Sequence, residues 1–347
     1  MSEGDASTTN SSAFQNGNSY WERKAMATGE IVLLSSYFVV TLVGLVGNSF
    51  VIHAVRTNRS MHTSTNYLIS NIAVADLTTM ATCLPFAILK FLNHPGGKWG
   101  RFLCTFITKN NISCITLSVS IMTLCILAVE RYNALINPLH HEMRMTKRAT
   151  LYAIVLTWIL ALAMAMPLLI FTDFNEKYHY CQFTFTTHLY WIAVGVATFL
   201  ILVVICYCYI KILREIYNKR LLNAGHCAPQ WLNNETTKNK RKVTKLLLSL
   251  TVAFVLFFVP RMVYLFFSPY MEKTINLGAF RKISFFLVVC NSCVNPIICG
   301  FQSDNYRRAF LAMLRRSRGV SPISRDAISN RDWWNTSQRQ QHQQSQM

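Results

Sequence analysis

Seven apolar runs, each long enough to cross a bilayer, follow one another along the chain with polar connectors between them. A spanning helix needs about 20 predominantly apolar residues. Residues 31–55, 110–129, 149–172, 186–210 and 283–303 contain no Asp, Glu, Lys or Arg. Residues 67–89 carry one acid, Asp76, and residues 246–270 one base, Arg261. Buried helices of soluble proteins are shorter and keep a polar face. The pattern therefore predicts an all-α membrane protein, a seven-transmembrane helix bundle over residues 30–302. Pro85, Pro167, Pro260 and Pro296 each fall inside a run, where a proline removes a helical hydrogen bond and kinks the helix. Kinked helices that pivot suit a protein with two conformations, and transporters and channels use them as well.

The polar stretches add detail. Residues 177–185 alternate polar and aromatic side chains around Cys181, which predicts a short β-hairpin in the connector between the fourth and fifth spans. Residues 217–243 hold Gly225, Pro229 and two basic clusters, so the fifth and sixth helices should extend past the bilayer and flank an irregular middle. In residues 303–318, Tyr306, Phe310 and Leu314 recur every four positions among Arg307, Arg308, Arg315 and Arg316. With Ser303 or Asp304 as N-cap, this predicts a short amphipathic eighth helix on the membrane surface. Residues 319–347 are rich in Ser, Arg and Gln and are expected to form a disordered cytoplasmic tail.

Charge sets the orientation. With the N-terminus outside, residues 56–65, 131–148, 211–245 and 304–347 face the cytoplasm and carry 23 of the 34 Lys and Arg. The net charge of +19 is thus a topological bias that favours anionic membrane lipid. It does not indicate nucleic-acid binding, since no basic module stands apart from the spans. The first 29 residues lack the basic-then-apolar build of a cleavable signal and read as an extracellular N-terminal tail, with Asn10-Ser11-Ser12 as a glycosylation acceptor. Of the 11 cysteines, only Cys104 and Cys181 fall at the extracellular margin. A bond between them would pin the hairpin loop over the bundle mouth, and spacing alone leaves that pairing open.

Ionisable groups inside spans are expensive, which makes each a candidate for function. Asp76 lies mid-span, with Asn48, Ser120, Asn291, Ser292 and Asn295 at comparable depth. Such an oxygen-lined cavity holds a small cation or a shared proton, or else the same groups are glue between helices. Glu130-Arg131-Tyr132 closes the third span, either snorkelling to the interface or acting as a switch that holds and releases Arg131. No nucleophile–base pair, phosphate loop or metal-ligand spacing points to an enzyme.

These residues together resemble the rhodopsin-like (class A) G-protein-coupled receptors, with a match running from about Gly47 to Phe310. It is carried by Gly47-Asn48, Leu68 with Ala73-Val74-Ala75-Asp76-Leu77, Trp99 with Cys104, Glu130-Arg131-Tyr132, Asn137-Pro138-Leu139, Trp158 and Pro167. Asn291-Ser292-Cys293-Val294-Asn295-Pro296, Phe301 and Tyr306-Arg307 complete it. The resemblance implies a Cys104–Cys181 disulfide and a sodium pocket of Asp76, Ser120, Asn291, Ser292 and Asn295, with no other cofactor. It implies a plasma-membrane receptor that activates a heterotrimeric G protein through Arg131 as the sixth helix swings outward. Tyr132, Tyr207, Thr244, Phe258, Pro260, Asn295 and Pro296 join Glu130 and Arg131 in that machinery. Arrestin and a receptor kinase are implied further partners. Lys240 stands where many relatives carry an acid that locks the arginine, and Thr244 is expected to hydrogen-bond it instead. Phe258, Cys299 and Phe199 replace the usual tryptophan, tyrosine and proline, departures that bear on signalling strength and not on the fold.

The ligand side is less specific. Ser113 stands where monoamine receptors carry an aspartate, and Val289 where opsins carry the Schiff-base lysine, so neither chemistry has its anchor. The outer bundle instead offers Lys90, Lys109, Arg261, Arg281 and Lys282, with Tyr264 close by in sequence. A desolvated arginine needs an anion, supplied by Asp173, Glu176 or Glu272 of the chain or by the ligand. Aromatic residues near the mouth favour a neuropeptide, with a small acidic metabolite or lipid mediator as the alternative. A transporter or a ligand-independent scaffold is the competing class, and no internal repeat of the kind transporters show is present.

Overall fold

A computed structural model describes residues 28–89, 94–136, 145–184, 187–224, 235–271 and 277–317. Seven helices among them are long and apolar enough to span a membrane. They comprise α1 (Thr28–Thr57), α2 (Ser64–Leu89), α4 (Asn111–Ile136), α5 (Lys147–Ile170), α6 (Thr187–Ala224), α7 (Glu235–Met271) and α8 (Gly278–Gln302). In hydrocarbon every backbone polar group must be satisfied within the chain, so charge-free runs of this length become helices. Many hydroxyls in the spans have a local use. Ser36, Thr78, Ser118 and Thr123 donate to carbonyls four residues earlier.

The third span departs from its expected limits. Residues 97–103 form α3 (Gly97–Leu103), and a five-residue π turn, Cys104–Thr108, carries the chain toward α4. The axis breaks only at Asn110, whose φ of 60° is left-handed. Glycines and charges at 97–101 read as loop in the sequence. They form helix because the segment lies at the bundle's margin, where an exposed charged face costs little.

The expected hairpin forms earlier and longer than its sequence limits. Strand β1 (Thr172–Asn175) pairs antiparallel with β2 (Tyr180–Phe183), bringing Phe174 opposite Cys181. Cys181 is bonded to Cys104 across 77 residues of chain. Buried Asn111 supports the same corner: its Nδ2 donates to the Thr105 carbonyl at 2.9 Å, the Leu168 carbonyl at 3.3 Å and Thr172 Oγ1 at 3.1 Å. The helices flanking the long connector reach Ala224 and begin again at Glu235.

The eighth helix of the sequence reading is α9 (Asp304–Ser317), and the Ser303 carbonyl accepts from Arg307 N–H at 3.0 Å. Its apolar side meets the bundle: Tyr306 is buried with its hydroxyl donating to Asn66 Oδ1 at 3.3 Å, and the Phe310 ring lies 4.9 Å from that of Phe50 in a T-shaped contact. Helix seams are set by small residues. A Cβ placed on Gly47 of α1 would lie 2.8 Å from Pro296 Cβ of α8. Gly47→Val should therefore overpack this seam and cost about 1–3 kcal/mol, read as a lower thermal midpoint of the purified protein. An unchanged midpoint would show that the seam is loose.

Candidate functional site

The C-terminal end of α4 holds the first cluster. Arg131 Nη2 donates to Glu130 Oε1 at 2.8 Å and to Thr65 Oγ1, and Thr65 Oγ1 also lies 3.0 Å from Glu130 Oε2. Both charged side chains are only 12 % exposed. Such a charge-assisted pair, largely removed from water, is worth more than a surface ion pair. Thr65 was not among the residues expected from the sequence. It precedes Asp76 by 11 residues, three helical turns within about 20°, so it shares the inward face of α2, and that period was the available signal. Thr244 is buried on α7, and the side chain of Lys240 lies outside the described residues.

A second cross-helix link lies nearby. Lys242 Nζ of α7 donates to Asp304 Oδ2 of α9 at 2.9 Å, and Arg307 Nη2 donates to Asp304 Oδ1 at 2.7 Å. Two turns of α7 further into the bilayer, Ser249 and Gln302 exchange hydrogen bonds at 2.8–3.1 Å. The hydrogen bond from Lys242, with its charge and that of Arg307, holds the Asp304 carboxyl below its ordinary value. A depressed carboxylate loses its contribution only as pH falls below the ordinary carboxylate range, so this clamp persists at neutral pH. Lys242→Ala should lower the thermal midpoint of the purified protein only slightly, since both partners are exposed. A large fall in the midpoint would show that the pair carries more than an exposed ion pair does.

Tyr207 is half exposed on α6, its ring 6.2 Å from that of Tyr132. The buried tyrosine there is Tyr209, whose hydroxyl accepts from Thr251 Oγ1 at 3.4 Å. Phe258, two residues before Pro260, is buried, its ring 5.1 Å from that of Phe254. Cys299 and Tyr306 are both buried where α8 turns into α9.

Mid-membrane, Asp76 is 2 % exposed and accepts from Asn295 Nδ2 at 2.8 Å, with Ser292 close to the carboxylate. Ser120, Asn291 and Ser292 are buried at the same level. Both amide atoms of Asn291 lack a hydrogen-bond partner among the described residues, as does Asn48 Oδ1, while Asn48 Nδ2 ties α1 to the Ser292 carbonyl at 2.8 Å. One carboxylate with neutral oxygens and unengaged amide groups fits a small hard cation. Next to it Asn71 joins three helices, donating to Thr123 Oγ1 at 2.9 Å and accepting from Trp158 Nε1 at 2.9 Å. That network is structural glue and was not read from the sequence.

At the outer mouth, Arg261 reaches inward from α7, its guanidinium carbon 5.0 Å from the Tyr264 ring centroid and 5.7 Å from that of Phe285. Lys109 Nζ lies 4.5 Å from the Phe183 ring of the hairpin. Arg281 is exposed at the top of α8, and Lys282 is drawn aside by Glu30 at 3.3 Å. Ser113 is buried and donates to Asn110 Oδ1 at 2.6 Å, so it is turned toward its own helix start. Lys90 and Asn10 lie outside the described residues. His94, also unforeseen, packs on Phe174 with ring centroids 4.9 Å apart and its Nε2 3.0 Å from Thr108 Oγ1. Burial pushes this imidazole below its ordinary value. With Cys104 and Cys181 it makes a tight group, but the disulfide leaves the imidazole as the sole metal donor there.

Residues 47–298 match the family model described as 7 transmembrane receptor (rhodopsin family). The chain belongs to this family. Its members are receptors, not enzymes, and the seven spans make it a multi-pass membrane protein. Similar proteins include somatostatin receptor type 5 of Rattus norvegicus, 30 % identical over 93 % of this chain and 89 % of that one. Neuropeptide Y receptor type 2 of Sus scrofa is 28 % identical over 85 % of this chain and 78 % of its own. Neuropeptide FF receptor 2 of Mus musculus is 29 % identical over 80 % and 71 %.

Proposed function

We propose that this rhodopsin-family receptor sits in the plasma membrane with its N-terminus outside, binds an extracellular peptide and activates a heterotrimeric G protein. The observation that carries the reading is the pairing of two ends: a mouth roofed by a disulfide-held hairpin, and a cytoplasmic rim where Arg131 is held by Glu130 and Thr65. Similarity to receptors named for neuropeptide Y, neuropeptide FF and somatostatin supports a peptide ligand. The receptor works by population shift, since a ligand that binds the open-rim state more tightly moves the balance toward it. Arrestin, a receptor kinase and anionic lipid are further partners on the basic cytoplasmic side.

Asp76, Ser120, Asn291, Ser292 and Asn295 would hold sodium and bias the receptor toward the closed state. Sodium chloride titrated against choline chloride in membranes should lower basal nucleotide exchange several-fold in the wild type, and Asp76→Asn should flatten that response. A sodium response that survives in Asp76→Asn would remove the ion from the mechanism. The peptide reading is tested by screening the receptor with a peptide library in a G-protein dissociation assay. Activation by organic acids and by no peptide would favour the small-metabolite alternative.

A further inference from the structure

The outer cavity has a charge it does not itself neutralise. Arg261 is half-buried beside Tyr264 and Phe285, with Tyr37 and Cys114 near it, and its buried Nη1 has no hydrogen-bond partner among the described residues. Arg281 lies within electrostatic reach of both Arg261 and Lys109, so three cations repel one another around one space. Asp173 pairs with Arg101 at 3.7 Å and Glu30 with Lys282 at 3.3 Å, Glu176 is exposed in the hairpin turn, and Glu272 lies outside the described residues. The two aromatic faces relieve only part of the cost of a dehydrated guanidinium, which is repaid in full by a planar anion on its donor fork. The surroundings are otherwise apolar and aromatic, with Tyr37 5.2 Å from Phe286 and Phe86 4.6 Å from Phe285. An anion attached to an apolar or aromatic group is the chemistry that satisfies both.

Building on the peptide reading, we infer that the ligand enters C-terminus first and seats a free C-terminal carboxylate on Arg261, with Lys109 and Arg281 guiding it and the last side chain against the rings. An amidated peptide lacks the charge and leaves Arg261 unpaired. This sets the ligand class as free-acid peptides ending in an apolar or aromatic residue.

The test uses a pair of probes that differ only in the anion, N-acetylphenylalanine and N-acetylphenylalaninamide, on the purified full-length receptor, followed by thermal unfolding. The acid should raise the unfolding temperature saturably and the amide should not. Arg261→Gln should weaken the acid's apparent affinity at least about tenfold, the loss of one charge-assisted hydrogen bond, and Arg261→Lys should recover part of it. Equal effects of acid and amide, no effect of the acid, or an unchanged Arg261→Gln would each overturn the anchor. Inorganic phosphate outcompeting the acid would do so too, since it would assign the cations to a phosphate. If Arg261→Gln does not reach the membrane, Arg281→Gln and Lys109→Gln replace it, and each should lower affinity by a few-fold, with wild-type affinity in both counting against the anchor.

A cell assay with paired free-acid and amidated peptides separates the two readings. Amides that signal equally through wild type and Arg261→Gln would remove the anchor and leave the peptide receptor standing. Small organic acids alone, acting through Arg261, would keep the anchor and remove the peptide.

Discussion

Arg131→Ala should abolish agonist-driven nucleotide exchange while leaving the receptor folded and at the cell surface. The side chain touches two groups, Glu130 and Thr65, and those two also bond each other, so its removal leaves the Glu130 carboxylate the Thr65 hydroxyl as partner but takes away its counter-charge. Its buried Nε has no partner among the described residues, which marks a side chain not fully satisfied where it rests. A group held in this way is free to be exchanged for a better partner when the rim opens. The converse substitution should act in the opposite direction. Glu130→Gln keeps the shape but replaces a charge-assisted bond by a neutral one, a loss of about 1–2 kcal/mol. Ligand-independent exchange should therefore rise about five- to thirtyfold if the pair is broken on activation. Binding of a non-hydrolysable guanine nucleotide in membranes, normalised to surface receptor, reads both. Wild-type signalling from Arg131→Ala would remove Arg131 from the coupling step.

The second large effect concerns the roof. Cys104→Ser should strip the receptor of most of its extracellular stability, because the bond closes a loop of 77 residues. On the chain-entropy account that closure is worth about 4.5 kcal/mol. Cys104→Ser together with Cys181→Ser should be no worse than either alone, since both remove the same link. Surface expression and the thermal midpoint of detergent-solubilised receptor check it. A single serine mutant with the wild-type midpoint would show that Asn111 and the strand pairing suffice.

The spans were legible because a bilayer imposes length and excludes charge, and residues 31–55 or 149–172 satisfy both without ambiguity. Asp76 and Arg261 stood out for the same reason: each is the one charge in its run. The hairpin was readable from alternation around Cys181, though its partner strand at Thr172–Asn175 was not, since Thr172 closes the fourth run and the three residues after it are too few to show an alternation. What stayed hidden depends on contacts distant in sequence. Nothing near Lys242 announces Asp304, and nothing near Asn71 announces Trp158. Thr65 and Tyr209 gave only a helical phase, which many neutral neighbours share. Helical residues 97–103 were missed because the local glycines and charges favour a turn, whereas at the bundle's margin the helix keeps most of its side chains exposed.

Asn111 carries a consequence for how a message crosses the receptor. One amide group joins the base of the lid, the upper end of the fourth helix and the shaft that ends, 20 residues later, in Arg131. The lid is thus bolted to the shaft twice, once by sulfur and once by nitrogen. A molecule resting on the lid therefore touches a part that is fixed, through Asn111, to the helix that carries Arg131.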